Sequence, residues 1–251
     1  MKTRLLATLC IWIWLVAPAW AMFEVEGFFW FMKPEGEASV GIDGLQGTKA
    51  DLESDFGYDD TENVPGLRFI IGNTHQFGFS GFQLDVSAEN TIDRTIFFMD
   101  KEFRFNERVS TSFDVTVLQA FYRLNLGPEI FHGGLIAGGE YISAETAASS
   151  PRLGQAKADL ETGMFLLGAF AETNPLPFLR LKAALMGGTF DVSDIEARYL
   201  DFEFAAMAKI PPGFHIGAGY RYIDIDAEDT QFPLEINLAF KGPFIFVGFE
   251  W

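Results

Sequence analysis

Cysteine is almost missing: Cys10 is the only one. It falls within an N-terminal leader, so the rest of the chain can make no disulfide. Histidine is nearly as scarce, with only three: His75, His132 and His215. That leaves few bases for acid–base or nucleophilic catalysis. Positive charge is thin as well, with 18 Lys and Arg against 35 Asp and Glu and a net charge of −17. Nucleic acid is thereby excluded as a partner, because phosphate binding needs a basic surface. Beyond residue 21 no stretch stays apolar for the ~20 residues that a membrane-spanning helix requires.

What is present begins with a leader. Met1-Lys2-Thr3-Arg4 is a short basic segment, Leu5 to Val16 is apolar, and Ala19-Trp20-Ala21 has the small-residue pattern of a cleavage site. The apolar run is short for a spanning helix and right for a secretory signal peptide. Leu9 stands before Cys10, where lipid attachment to that cysteine would want a small residue. The expected organisation is therefore residues 1–21 as signal peptide and residues 22–251 as one domain. Cleavage removes Lys2, Arg4 and no acid, taking the net charge to −19.

Phenylalanine (28) and glycine (25) dominate the remainder, and apolar residues alternate with polar ones at the period of strands. Strands are predicted over 23–33, 66–72, 76–86 (or on to 98), 113–126, 130–143, 158–173, 178–190, 197–210, 214–226 and 232–251. Apparent changes of face suggest bulges near Ser80-Gly81 and at Lys241-Gly242-Pro243. Tight turns at 73–75, 127–129, 174–177 and 211–213 alternate with longer polar loops, at 34–63, 95–112 and 144–157 among others. Short turns on one side and long loops on the other, an aromatic-rich outer face and an even strand count describe an all-β, closed antiparallel transmembrane barrel. About ten strands are expected, with eight as the alternative.

Parity assigns an inward face. It places Glu24, Glu26, Asp85, Glu140, Asp201 and Glu203 in the lumen with Arg68, Arg123, Arg180, Lys182 and Arg221. A ten-strand barrel is narrow enough for side chains to fill much of it, and confined charges pair because an unpaired buried ion is costly. Two readings follow: a salt-bridged plug, or a thin hydrated pathway lined by the same ions. No cofactor is indicated. Asp51, Glu53, Asp55, Asp59 and Asp60 offer hard oxygen ligands for calcium, but their spacing is not that of an EF-hand. The histidines fall in a turn or early in their strands, away from the rim where a surface hydrolase would need its base, so an enzyme is not expected.

A resemblance rests on particular segments: Phe82-Gln83-Leu84-Asp85-Val86, Phe113-Asp114-Val115-Thr116-Val117, Ala120-Phe121-Tyr122-Arg123-Leu124, and Gly219-Tyr220-Arg221-Tyr222-Ile223-Asp224 followed by Gly242-Pro243-Phe244. These resemble small Gram-negative outer-membrane barrels of the OmpA-, OmpW- and porin-like group. The terminal strand, with Phe249 and Trp251, resembles the signal read by the barrel assembly machinery. The resemblance implies the outer membrane as location, with outer-membrane lipid, lipopolysaccharide, the assembly machinery and periplasmic chaperones as partners, and a monomer. It leaves the role open among a porin-like or structural barrel with limited passive passage, a surface-binding barrel using its acidic loops, and a lipid-modifying enzyme.

Overall fold

Residues that alternate in polarity along an extended chain present one row to each side, and every backbone group on such a strand needs a neighbour to pair with. A computed structural model, which describes residues 22–40, 47–58, 60–98, 101–128, 130–192, 195–229 and 234–251, shows how this chain meets that need. Its strands are β1 (Phe23–Val40), β2 (Ala50–Asp51), β3 (Glu62–Gly72), β4 (His75–Thr91), β5 (Ile96–Phe98), β6 (Lys101–Phe103), β7 (Arg108–Leu126), β8 (Phe131–Ser150), β9 (Gly154–Leu176), β10 (Leu179–Val192), β11 (Ile195–Ile210), β12 (Phe214–Asp229) and β13 (Leu234–Glu250). Ten of these pair in sequence, β1-β3-β4-β7-β8-β9-β10-β11-β12-β13, and β13 returns to β1 to close the ring. All the pairings are antiparallel. β2 adds to the upper part of β1, and β5 and β6 form a separate hairpin.

The outer face is apolar over a broad band. Phe29, Leu67, Phe69, Phe77, Phe79, Leu118, Leu135, Phe165, Leu167, Phe202, Phe204, Ile216, Ile245 and Val247 are all exposed there. Soluble monomers rarely leave so much contiguous apolar surface uncovered; facing lipid, it is the expected exterior. Among the described residues, no helix is long and apolar enough to cross a membrane.

Two expected bulges are absent. β4 pairs with β7 in one unbroken register from His75↔Leu124 to Thr91↔Arg108, and β13 pairs with β12 without a break from Phe249 to Glu235. The apparent switch of face is a change in what fills the lumen. Even-numbered residues of β4 point inward throughout, as Gln76 and Gly78 near the tight turn and as Phe82, Leu84 and Val86 farther along. The expected loop over 144–157 is likewise mostly strand, since β8 runs to Ser150 and the turn to β9 needs only residues 151–153.

Glycine on the inner face makes room for aromatic rings. Phe28, Phe121, Phe244 and Phe246 stand directly opposite Gly66, Gly78, Gly219 and Gly217 on the next strand. A Cβ on any of those glycines would lie within 2.1–2.6 Å of its partner's ring. Gly242 serves the closure itself: a Cβ there would sit 1.9 Å from the Phe31 carbonyl oxygen across the β1–β13 seam.

Beyond the lipid-facing band, the segments between strands are tied together. Arg94 donates to both oxygens of Asp55 (3.2 and 2.5 Å) and to the Lys49 carbonyl at 2.8 Å. Arg152 and Ser150 donate to Glu107 (2.9 and 2.6 Å), joining the approach to β7 to the β8–β9 turn. Burial pushes the Glu107 carboxyl up, but Arg152, the Arg104 backbone N–H and Ser150 outweigh it and bring it down to about 2.

Gly242→Ala is expected to lose most of the folded population, read as heat-modifiable electrophoretic mobility. Gly139→Ala, whose Cβ would meet only Met164 O at 3.6 Å, is expected to fold normally. For the Glu107 clasp the sign is that of a depressed carboxylate: its stabilisation is complete above the unfolded value near 4.5 and is lost as pH falls through about 2. At pH 3, therefore, pepsin is expected to cut the 104–108 segment of Glu107→Gln several-fold faster than that of the wild type; equal rates would remove the clasp from the account.

Candidate functional site in the barrel lumen

The lumen has two chemistries stacked along its axis. At the tight-turn end, where both ends of the barrel chain lie, the inward row is charged. The first inward positions of β1 are Glu24 and Glu26; β10 contributes Arg180 and Lys182, β12 His215 and Arg221, and β11 Asp201 and Glu203. The members of each pair are an even number of residues apart, two on β1, β10 and β11 and six on β12, because one face of a strand repeats every second residue.

These groups are matched closely. Lys182 Nζ donates to Glu26 Oε1 at 2.6 Å, and Arg68 Nη1 lies 3.3 Å from Glu26 Oε2. Arg68 also makes a two-pronged pair with Glu203 (2.9 and 2.5 Å). Arg221 does the same with Asp201 (3.1 and 2.7 Å). Such forked guanidinium–carboxylate pairs are strong and directional. Arg123 donates to Glu172 Oε1 at 2.5 Å, with His132 Nε2 3.2 Å from the other oxygen. Arg180 joins Glu172 (4.0 Å) to Glu250 (3.0 Å) at the rim. Glu140 is held by neutral donors, Gln119 at 3.0 Å and Tyr199 at 3.2 Å. The space left among these side chains is a cavity of about 60 Å³, lined by Glu24, Arg68, Arg123, Glu172, Arg221 and neighbours. It has room for a few waters.

Above this layer the lumen turns apolar. Trp30, Met32, Leu84, Val86, Val115, Val117, Ile142, Ile223 and Phe240 form one continuous cluster that extends to Phe56, Tyr58, Ile92, Ile96 and Phe103 beyond the membrane band. Arg221 marks the boundary, its guanidinium 5.4 Å from the Trp30 ring and 5.2 Å from that of Phe82. Trp30 is completely buried and donates its indole N–H to the Gly242 carbonyl at 3.1 Å.

Glu24, Glu26, Arg68, Arg123, Glu140, Arg180, Lys182, Asp201, Glu203 and Arg221 thus all point into the lumen. Asp85 does not. It is exposed on the outer face, directly across from Asp114, because the unbroken β4 register gives the inner face to Leu84 and Val86. Sequence parity puts Gln119, Tyr199, His132 and His215 on the inward rows without making them members of the network, and it leaves out Glu172. Glu172 could have been found from the even-residue row Met164, Leu166, Phe170 and Glu172 along β9. The acidic loop separates from the network entirely. Asp55 is buried under Arg94 and the Asp51 N–H (2.8 Å), Asp51 accepts the Ser54 N–H at 2.7 Å, and Glu53 pairs with Lys33 at 3.4 Å. These acids are spent on shaping the loop. Asp60 is exposed, and Asp59 lies outside the described residues.

The three histidines gather at the tight-turn end. His75 Nδ1 is 2.6 Å from the Tyr122 hydroxyl, His132 faces Glu172, and His215 Nε2 lies 3.3 Å from Glu26. The described part of the opposite rim, where an outward-facing hydrolase would work, contains none.

Closed ring, lipid-facing band and filled lumen together define an outer-membrane-type β-barrel of ten strands. Comparison with solved structures agrees on the fold. The chain superposes on the outer membrane protease OmpT from Escherichia coli with a TM-score of 0.62 at 10% sequence identity, covering 92% of this chain and 97% of that one. Weaker likenesses include the transport unit of the autotransporter AIDA-I from Escherichia coli (TM-score 0.44, 8% identity, 94% and 90% covered). Ail, the attachment invasion locus protein of Yersinia pestis, is another (0.36, 11%, 92% and 99%). No protein-family model and no curated sequence matches the chain.

The paired charges make a specific energetic prediction. Arg221→Met strands Asp201 in the lumen and is expected to cost about 3–5 kcal/mol in unfolding from detergent micelles. Adding Asp201→Asn is expected to restore a large part of that, giving a positive coupling energy in the double-mutant cycle. Additive losses would mean that the two groups do not act as a pair.

Proposed function

We propose that the protein is a resident outer-membrane barrel, porin-like in build but held shut, with a structural role and at most limited passage of small solutes. One observation carries this reading: Trp30, Leu84, Val117, Ile223 and Phe240 lie buried in one continuous apolar cluster above the charged layer. An ion crossing that layer would shed its water with nothing polar to replace it, which is prohibitive. Below it, the lumen charges are committed largely to one another.

In this reading residues 1–21 direct export and are removed. The assembly machinery, helped by periplasmic chaperones, engages the terminal strand through Phe249 and Trp251, and the monomeric barrel meets lipid and lipopolysaccharide with its outer face. A second reading, surface binding, is favoured by the tied outer segments, which hold Phe97 and Phe105 exposed beside acidic side chains. A hydrolytic reading has less to support it, since the polar partners of the three histidines are Tyr122 and glutamates.

The deciding experiment is single-channel recording of the refolded barrel in a planar bilayer. The wild type is expected to be silent, as is Arg180→Ala, whereas Trp30→Ala combined with Leu84→Ala is expected to give discrete conductance steps. Steps from the wild type whose ion selectivity responds to Glu203→Ala would replace the closed barrel with an open, charge-lined one.

A further inference from the structure

His215 is the least explained buried group in the lumen. It is 1% exposed, yet neither ring nitrogen has a hydrogen-bond partner among the described residues. A buried polar atom left unmet is costly, so an imidazole held this way calls for a reason. Its surroundings are shaped around Nε2. Gly248 stands across from it on β13, and a Cβ at that position would lie 2.3 Å from Nε2. The Phe246 ring packs edge-on against the imidazole at 6.1 Å. Nε2 lies beside two carboxylates, 3.3 Å from Glu26 Oε1 and 3.9 Å from Glu24 Oε1, without hydrogen-bond alignment to either.

We propose that Glu24, Glu26 and His215 form a binding site for one divalent transition-metal ion at the tight-turn mouth of the barrel. One ligand atom from each residue falls within 4.8 Å of the others, and all three residues are buried. Ligands about 2.0–2.2 Å from a tetrahedral zinc stand about 3.3–3.6 Å apart, so His215 and Glu26 at 3.3 Å already fit and Glu24 completes the set by moving inward by roughly an ångström. One imidazole with two carboxylates suits zinc, manganese or cobalt(II) better than calcium or magnesium, which prefer oxygen alone. The strands supply the geometry: Glu24 and Glu26 are successive inward positions of β1, and His215 enters from β12, two strands away across β13. A cavity of about 390 Å³ at the turn end, lined by His215, Glu250, Phe178, Lys209 and Pro211, adjoins the site on its His215 side.

Lys182 is the competitor, since its ammonium already holds Glu26 Oε1. A metal at this site shares Glu26 with a neighbouring positive charge, which sets an affinity below that of a dedicated site. The arrangement also carries a signature that an adventitious surface ion lacks: removing the lysine strengthens metal binding.

The test is titration of the untagged, refolded full barrel in detergent with zinc, and with cobalt(II) for its absorption spectrum, using magnesium and calcium as controls. One equivalent of zinc is expected to bind and to raise the unfolding temperature. Glu24→Gln and His215→Ala are expected to weaken binding at least tenfold, and Lys182→Met to tighten it. If His215→Ala does not fold, the variant His75→Ala with His132→Gln decides, because His215 is then the only imidazole left. Retention there of the wild-type cobalt spectrum supports the site. Loss of that spectrum, less than one equivalent bound by the wild type, or unchanged affinity in Glu24→Gln and Lys182→Met would overturn it.

Discussion

The β1–β13 seam is the contact on which everything else depends. In hydrocarbon an unpaired backbone N–H or carbonyl has no water to turn to, so a sheet can stay there only by closing on itself. Once the ring closes at ten strands its radius is set, and with it a bore too narrow for a wide aqueous channel and too wide to be left empty. The interior then has to be filled from the inward rows of the strands, and the chain fills it with two kinds of material. Paired charges, with rings such as Phe170 and Phe246 among them, occupy the half nearer the tight turns, and aromatic and branched apolar groups the other.

That division has a physical logic. A confined ion is tolerable only when matched, and matching needs partners on several strands at one height. Arg68 illustrates this, reaching Glu26 on the adjoining β1 and Glu203 on the distant β11. Apolar groups need no such correspondence, so they suit the half that runs on into irregular loops, where heights are harder to coordinate. Arg221 bridges the two, bound to Asp201 on one side while its flat cation lies near Trp30 and Phe82.

The sequence made the barrel legible because alternation, turn chemistry and loop asymmetry all pointed the same way, and the facing of most charges followed from parity alone. The errors came from treating chemistry as a proxy for direction. Leu84 and Val86 looked lipid-facing because they are apolar, which forced an imaginary bulge at Ser80-Gly81 and put Asp85 in the lumen. The same assumption produced the bulge at Gly242. In a barrel with an apolar inner layer, hydrophobicity stops reporting which side a residue faces, and only an unbroken ladder does. Pairings across the bore were beyond reach for a different reason: strand order fixes neighbours around the ring but not which side chains meet through its middle.

The aromatic–glycine pairs have a wider implication. Each ring of Phe28, Phe121, Phe244 or Phe246 rests over a glycine on the adjacent strand, so the occupied volume is contributed residue by residue and no inserted helix or folded-in loop is required to supply it. A barrel stoppered by a separate element is either closed or open. One filled in this way can be hollowed or thickened by degrees while its strands, closure and outer face stay as they are. Bore width then becomes a trait that point substitutions can tune continuously, independent of strand number.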